Sequence, residues 1–383
     1  MTTDIAAAAV NSRFGVIDMH MHPTLKTFML GKNFLKRHRP PGCWFPLTMR
    51  VDLDALLAGG VKAFFSVTYM VERDFLGDVW PLRGLRRIMP RLNHIFTEAP
   101  DRLVLECLDH QEALLRQANQ ARGPVIETAR SFSHMQRIMD EGRIAVLNSV
   151  EGAHHLNGNL DNLNAFFERG VCHMIVPHLY PNEACWNVDA FPELPALRKI
   201  GCFRQHIQME TGLTDFGREL VDRMFELGML VDMCHATPTC RAEILERARN
   251  HPARRPVVMS HVGVHELAPY PMNPTPEEIR AIADTGGVIG IIAMAYWLKK
   301  PEQAMGLDII LDTVAHLIQH GGDDVVAFGS DFDGFTGPPK DFKSPRDYPV
   351  LRERLLDTYG EERAAKFLNG NVCRVLQQGW GKQ

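Results

Sequence analysis

Residues 16–22 read VIDMHMH, an apolar run that ends on two histidines one residue apart. On a strand, side chains two positions apart leave the same face, so His20 and His22 can reach one ion together. An HxH pair is a weak signal by itself; the fold is decided by its repetition. VLNSVEG (146–152) ends at Glu151, LVDMCH (230–235) at His235, PVVMSH (256–261) at His261, and VVAFGSDFDG (325–334) carries Asp331. Scattered surface histidines would not recur at the ends of buried-strand patterns. Potential ligands at the C-terminal ends of several strands are the arrangement of a (β/α)8 barrel, the TIM barrel.

Working outward from these segments, eight apolar runs rich in β-branched residues occur at 15–22, 61–70, 144–152, 172–179, 229–236, 256–262, 287–294 and 325–332, mostly with helical patterns between them. The clearest helix is predicted at 211–228, where Phe216, Leu220, Met224 and Leu227 recur at steps of four, four and three and Gly228 supplies the stop. Strand–helix alternation implies a parallel sheet, and eight such units close a barrel, expected here as one domain over residues 1–383. The run LVLECL (103–108) is read as an extra strand outside the barrel. The connections 24–52 and 71–100 follow the first two strands and are therefore expected on the catalytic face as pocket wall or lid. The first holds KRHRP (36–40) and the cluster Cys43, Trp44 and Phe45; the arginines of LRGLRR (82–87) read as a solvated helix face.

With 383 residues, 45% hydrophobic and 23% charged, the chain can fill a large core. A net charge of −4 gives no reason to expect nucleic acid as a partner. No segment approaches the roughly 20 apolar residues of a membrane span, and the N-terminus lacks the pattern of a signal peptide, which points to a soluble, cytoplasmic product with no membrane partner. Eight cysteines without CxxC spacing read as reduced thiols. Cys234 adjoins His235, and strand alternation directs it away from the metal.

His20, His22, Glu151, His235 and His261 form an N/O ligand set suited to zinc. Five ligands exceed what one tetrahedral ion needs. Glu151 has two carboxylate oxygens and can bridge two zinc ions roughly 3.5–4 Å apart, with His20 and His22 on one and His235 and His261 on the other. Asp331 suits proton transfer from the attacking water to the leaving amine. His178, outside the metal set, can donate to a developing oxyanion. His154 and His155 are placed as supports of the ligands, and His173, His265, His316 and His320 as structural or surface residues.

GLTDFGRELV (212–221), LVDMCHATP (230–238), PVVMSHVG (256–263), VVAFGSDFDG (325–334), GNVCRV (370–375) and SVEGAH (149–154), collinear over about residues 15–376, resemble the membrane dipeptidase (renal dipeptidase, M19-type) family of the amidohydrolase superfamily. The resemblance implies a TIM barrel, two zinc ions and hydrolysis of a small substrate, a dipeptide or related amide. It also implies Glu151 as bridge, His235 and His261 on the second metal, Asp331 as general acid/base, His178 polarising the scissile carbonyl, and Tyr296 near a substrate-contacting position. Family members often form homodimers. Two departures stand out. His22 replaces the aspartate of the family's His-x-Asp, making the site one unit more positive. In YPMNPTPEE (270–278), Met272 stands where the family has an arginine that grips the dipeptide carboxylate, so the substrate lacks that group or another cation serves, with residues 36–39 or Lys299 as candidates.

Two other readings remain open: a single-metal superfamily enzyme, a decarboxylase or a lactone/ester hydrolase, and a non-catalytic binding homologue. A strand-end glutamate between the HxH and the later histidines favours two metals over the first. Retention of His178, Glu151 and Asp331 argues against the second.

Overall fold

The computed structural model describes residues 13–40, 48–191, 198–202, 207–299, 306–334 and 337–381. Cys43, Trp44 and Phe45 lie outside them. The strands are β1 (Val16–Met21), β2 (Val61–Thr68), β3 (Ile126–Thr128), β4 (Ile144–Glu151), β5 (Val171–Ile175), β6 (Leu230–Asp232), β7 (Val257–Val262), β8 (Ile289–Ile291) and β9 (Val326–Phe328). Every named pairing is parallel, in the order β2-β1-β9-β8-β7-β6-β5-β4-β3. A further β2–β4 pairing, Ala63 opposite Ala145 through Thr68 opposite Val150, closes all but β3 into a (β/α)8 barrel. These strands are almost wholly buried, which explains their near-continuous apolar runs, since a parallel sheet is covered on both faces.

The longer helices are α1 (Leu53–Gly59), α2 (Pro100–Arg122), α3 (Phe132–Asp140), α4 (Leu160–Glu168), α5 (Asp215–Leu227), α6 (Pro238–Asn250), α7 (Pro276–Asp284), α8 (Asp308–Gly321), α9 (Tyr348–Ala365) and α10 (Asn371–Gly379). α5 begins where Gly217 N donates to the Thr214 side chain and ends at Gly228, whose φ of 77° lies in the left-handed region that glycine enters without a Cβ penalty. The stop matches the expectation for 211–228, and the start lies four residues later, at Asp215, where Thr214 supplies the cap.

The expectation of a strand at 103–108 is corrected: the segment lies inside α2. Its buried residues Leu103, Val104, Cys107, Leu108, Gln111, Leu115 and Ala118 continue as one helical stripe, and Pro100 opens the helix at a position where a missing N–H costs nothing. The strand outside the barrel is β3. It pairs with Ile144–Val146 of β4, the stretch that β5 leaves free because its own pairing begins at Asn148.

The connection 71–100 is helical, with Arg73–Asp78, Trp80–Leu85 and Pro90–Thr97. It buries Leu92 and Ile95 against Leu25, Tyr69, Leu103 and Cys107. Lys36, Arg37, Arg39, Arg83, Arg86 and Arg87 are exposed. Among the described residues no helix is long and apolar enough to cross a membrane.

Candidate active site

Alternation alone would send Asp18, His20 and His22 to one face of β1, and the pairing of β1 with β2 slips between Asp18 and Met21. Asp18 turns toward α9, where its carboxylate accepts the Tyr348 hydroxyl, and its Oδ1 accepts His20 N at 2.9 Å and Ser330 N at 3.0 Å. One buried carboxylate thus ties the end of β1 to the segment leading to Asp331. Burial raises the Asp18 carboxyl to about 6 against those hydrogen bonds.

Five strand ends bring their side chains to one buried point. His20 Nε2 lies 2.9 Å from His22 Nε2, and His235 Nε2 lies 3.1 Å from His261 Nε2. Glu151 sits between the two pairs. Its Oε1 is 3.6 Å from both His235 and His261 and 3.5 Å from His20, while Oε2 is 3.4 Å from His22 and 3.6 Å from His178 Nε2. Asp331 Oδ1 lies 3.1 Å from His22 Nε2 and 3.8 Å from His20 Nε2. The backbones of His235 and Asp331 have φ of 65° and 56°. This left-handed region is uncommon outside glycine, and its strain is tolerated where a functional geometry is held by its surroundings. A Cβ on Gly334 would fall 2.0 Å from Asp331 Oδ1, so the glycine keeps the place of that carboxylate clear.

A layer of polar residues orients this set. Ser260 Oγ bridges His20 Nδ1 at 3.1 Å and His261 Nδ1 at 2.9 Å. Asp232 Oδ2 accepts Ser260 N at 3.1 Å and bonds His173 Nε2 at 3.0 Å, and its Oδ1 accepts Cys234 N at 2.8 Å. The Asp333 carboxylate accepts the amides of Arg50 and Val51 at 2.7 and 2.8 Å, tying the loop after β1 to the loop carrying Asp331. His154 and His155 touch backbone rather than ligands. Nε2 of His154 donates to Met70 O, and His155 bridges Gly152 O and Met70 N, so both clip the end of β4 to the end of β2.

His178 is gripped from behind by Glu72, which sequence reasoning missed. Glu72 Oε1 accepts His178 Nδ1 at 3.0 Å and Leu179 N at 3.1 Å, and Oε2 accepts the Tyr69 hydroxyl at 2.6 Å. Burial would raise the Glu72 carboxyl, but the charge and hydrogen bond of His178 outweigh it and hold the group well below the usual range. No local signal links residues 72 and 178. Asp18, Asp232 and Ser260, by contrast, stand inside or beside the strand-end segments and were open to notice.

The cavity above the cluster, about 400 Å³ of empty space with its mouth, is walled by Leu25, Tyr69, Leu179, Phe191, Met294 and Trp297. Trp297, not Tyr296, faces it; the Tyr296 ring stacks on Tyr270 at 4.8 Å, and Trp297 Nε1 donates to Ala190 O at 2.9 Å. Met272 is fully buried and lines none of it. Asn273 keeps a scaffold role, accepting Gly263 N and donating to Ala268 O and Trp297 O. Lys299 is paired with Asp312.

The donor set fits a cation. Burial drives the His20 and His261 imidazoles well below their ordinary value and His235 to about 4, so all three are neutral at pH 7. His22 is pulled down by burial but carried above its ordinary value by Asp331 and Glu151. Ser260 has one hydroxyl proton, so at least one of its two histidine partners donates through Nδ1 and presents a bare Nε2 to the centre. The 3.4–3.6 Å gaps from the Nε2 atoms to Glu151 are long for hydrogen bonds. They match the roughly 3.3–3.6 Å that separates ligands around a tetrahedral ion with bonds of about 2.0–2.2 Å.

A (β/α)8 barrel with a buried, cation-fitting ligand cluster at the C-terminal ends of its strands is a metal-site barrel by architecture and by donor chemistry. Residues 5–379 match the model of the membrane dipeptidase family (peptidase family M19), and the chain belongs to that family. It is similar to dipeptidase 3 of Rattus norvegicus, 27% identical over 238 residues, which are 62% of this chain and 45% of the relative. It is also similar to dipeptidase tcpJ of Claviceps purpurea, 26% identical over 335 residues, covering 87% and 70%. The matched segment spans about half the length of the dipeptidase 3 relatives. Among solved structures, dipeptidase AC, a metallopeptidase of family M19, superposes with a TM-score of 0.74 at 22% identity over 97% of this chain and 100% of that one. A Rhodobacter sphaeroides metallopeptidase solved with a phosphinate mimic of the dipeptide L-Ala-D-Ala gives 0.74 at 21% over 96% and 99%.

Proposed function

We propose that the chain hydrolyses dipeptides or dipeptide-like amides at a centre of two zinc ions bridged by Glu151. The observation that carries this reading is the placing of Glu151 among all four histidines, with Oε1 3.5–3.6 Å from His20, His235 and His261 and Oε2 3.4 Å from His22. His20 and His22 would hold one ion, and His235 and His261 the other. Zinc, when bound, supplies Lewis acidity and an acidified water near neutral pH. The chain's own groups then position the substrate and handle protons. Asp331, 3.1 Å from His22 and at the cavity edge, would take the proton of the attacking water and give it to the leaving amine.

His178 would polarise the scissile carbonyl. Glu72 is ionised and can only accept, so His178 Nδ1 must donate to it; for Nε2 also to donate into the cavity, the ring must carry both protons. The buried Glu72 charge is the counter-ion that makes this form available. Among the described residues that line the cavity there is no lysine or arginine. Phe191, Met294 and Trp297 suit an apolar or aromatic part of the substrate.

Metal analysis together with turnover tests this function. Two equivalents of zinc per chain, hydrolysis of C-terminally amidated dipeptides in preference to the matched free acids, and a loss of about 10²-fold or more in kcat for Asp331→Asn with metal retained are expected. Zinc that never exceeds one equivalent would favour the single-metal alternative. A strong preference for free acids would show that a cation outside the named lining holds the carboxylate.

A further inference from the structure

His316 and His320 are one turn apart on α8, so their rings leave the same side of the helix. Glu266, in the turn that follows β7, reaches across to both. A single oxygen, Oε2, lies 3.0 Å from His316 Nδ1 and 2.7 Å from His320 Nε2. One ligand atom from each of the three residues falls within 4.8 Å of the others. None of them lines the active-site cavity. Two imidazoles directed at one carboxylate oxygen is the convergence a chelate requires.

We propose that Glu266, His316 and His320 form a second, peripheral site for a divalent transition-metal ion of the zinc or nickel type. Two imidazole nitrogens and one carboxylate oxygen are a borderline donor set, which such ions prefer and which calcium and magnesium, as oxygen-seeking ions, do not. An i, i+4 histidine pair supplies two ligands from one rigid helix, so little ordering is needed to bring them together. Opening the present 2.7–3.0 Å contacts by about half an ångström gives the ligand spacing of a tetrahedral ion. The side chains of His320, His316 and Glu266 are 12%, 28% and 40% exposed, so an ion can enter and water can complete its coordination. Hydrogen bonds from both imidazoles already hold the Glu266 carboxyl below its usual range, as expected for an oxygen facing two donors.

The ion would join the turn after β7 to α8. That turn leads into Asn273, which donates to Trp297 O and accepts Gly263 N two residues after His261. The chelate therefore braces, from the outside, the loop that supports the Trp297 wall.

The test uses the zinc-loaded protein, freed of loosely held metal by gel filtration and titrated with zinc against a chromophoric chelator of micromolar affinity. Wild type should take up one further equivalent, with a rise of a few degrees in its unfolding temperature. The double variant His316→Ala/His320→Ala should take up none and show no rise, and Glu266→Gln, which keeps the shape, should bind about tenfold more weakly. None of the three residues is fully buried, and unchanged unfolding temperature and turnover before zinc addition will certify that the variants are folded and their active-site metal intact. A wild type that takes up no further equivalent overturns the proposal. So does a double variant that takes up the same equivalent as wild type.

Discussion

Glu72 shows how much a single buried side chain can set the chemistry of another. It receives three donors, His178 Nδ1, Leu179 N and the Tyr69 hydroxyl, at 2.6–3.1 Å, and only 5% of it is exposed. In Glu72→Gln the shape persists but the charge facing His178 is gone, so the donor role proposed for His178 Nε2 loses its counter-ion. We expect kcat to fall by about 10²-fold with KM nearly unchanged, since the contact matters when charge develops on the carbonyl. Steady-state kinetics checks this, and an unchanged kcat would leave His178 as a bystander. The same variant carries a signature in stability. The Glu72 carboxyl titrates below its ordinary 4.5 in the folded protein, so its ionised form is favoured by folding. Its contribution is complete above about pH 4.5 and is lost as pH falls from there toward the folded value. Denaturant melts of the metal-free proteins should show wild type more stable than Glu72→Gln by ~1.5–3 kcal/mol at pH 7, with the gap closing below pH 4.5. A gap that stays constant to pH 3 would deny the ion pair.

At the scale of strands, β7, β8 and the segment after β9 pack so closely that side chains are excluded. A Cβ on Gly290 would lie 1.9 Å from Ser260 O, and one on Gly329 1.8 Å from the same atom. Ser260 positions both His20 and His261, so the fit of three backbones reaches the metal ligands directly. Gly290→Ala should cost about 1–3 kcal/mol in urea melts and weaken zinc retention in dialysis. Ile310→Val on α8, a core change remote from Ser260, should cost ~0.5–1.5 kcal/mol and leave zinc retention alone. Equal zinc loss in both would mean that general destabilisation, not Ser260, is responsible. Closely packed, doubly covered strands also explain what was legible in the sequence. Their continuous apolar runs marked all eight barrel strands, and the ligands stood at the ends of those runs. The segment 103–108 deceived because a six-residue window of a buried helix looks like a strand; only its extension through Gln111, Leu115 and Ala118 shows the 3.6-residue stripe. β3, three residues long, has too little pattern to see. Glu72 and Trp297 acquire their places through contacts with residues about a hundred positions away, His178 and Ala190, which no local spacing encodes.

Seen as a whole, the molecule gathers its centre from residues spread between His20 and Asp331, held at the ends of five strands of the barrel wall. Without a cation, the fold must keep imidazole nitrogens about 3 Å apart around a carboxylate whose pKa burial pushes up, with the His22–Asp331 contact as partial compensation. Ions bound there link β1, β4, β6 and β7, and since an unfolded chain offers no such cluster, their binding energy adds to folding. With free zinc at about 1,000 times its dissociation constant the gain is ~4 kcal/mol for each ion, ~8 kcal/mol for two. Unfolding entropy near 2.1 cal/mol/K per residue over 383 residues converts this to a shift of about 10 °C. Calorimetry should therefore find the chelated protein melting about 10 °C lower, with zinc restoring the loss. His235→Ala, which removes one ligand of the His235–His261 pair, should melt low and recover much less. Because the Glu266 cluster lies apart, the double variant His316→Ala/His320→Ala should still show the main recovery. If chelation leaves wild-type melting unchanged, the barrel holds its ligand cluster together without metal, and the cation-binding reading of the centre fails.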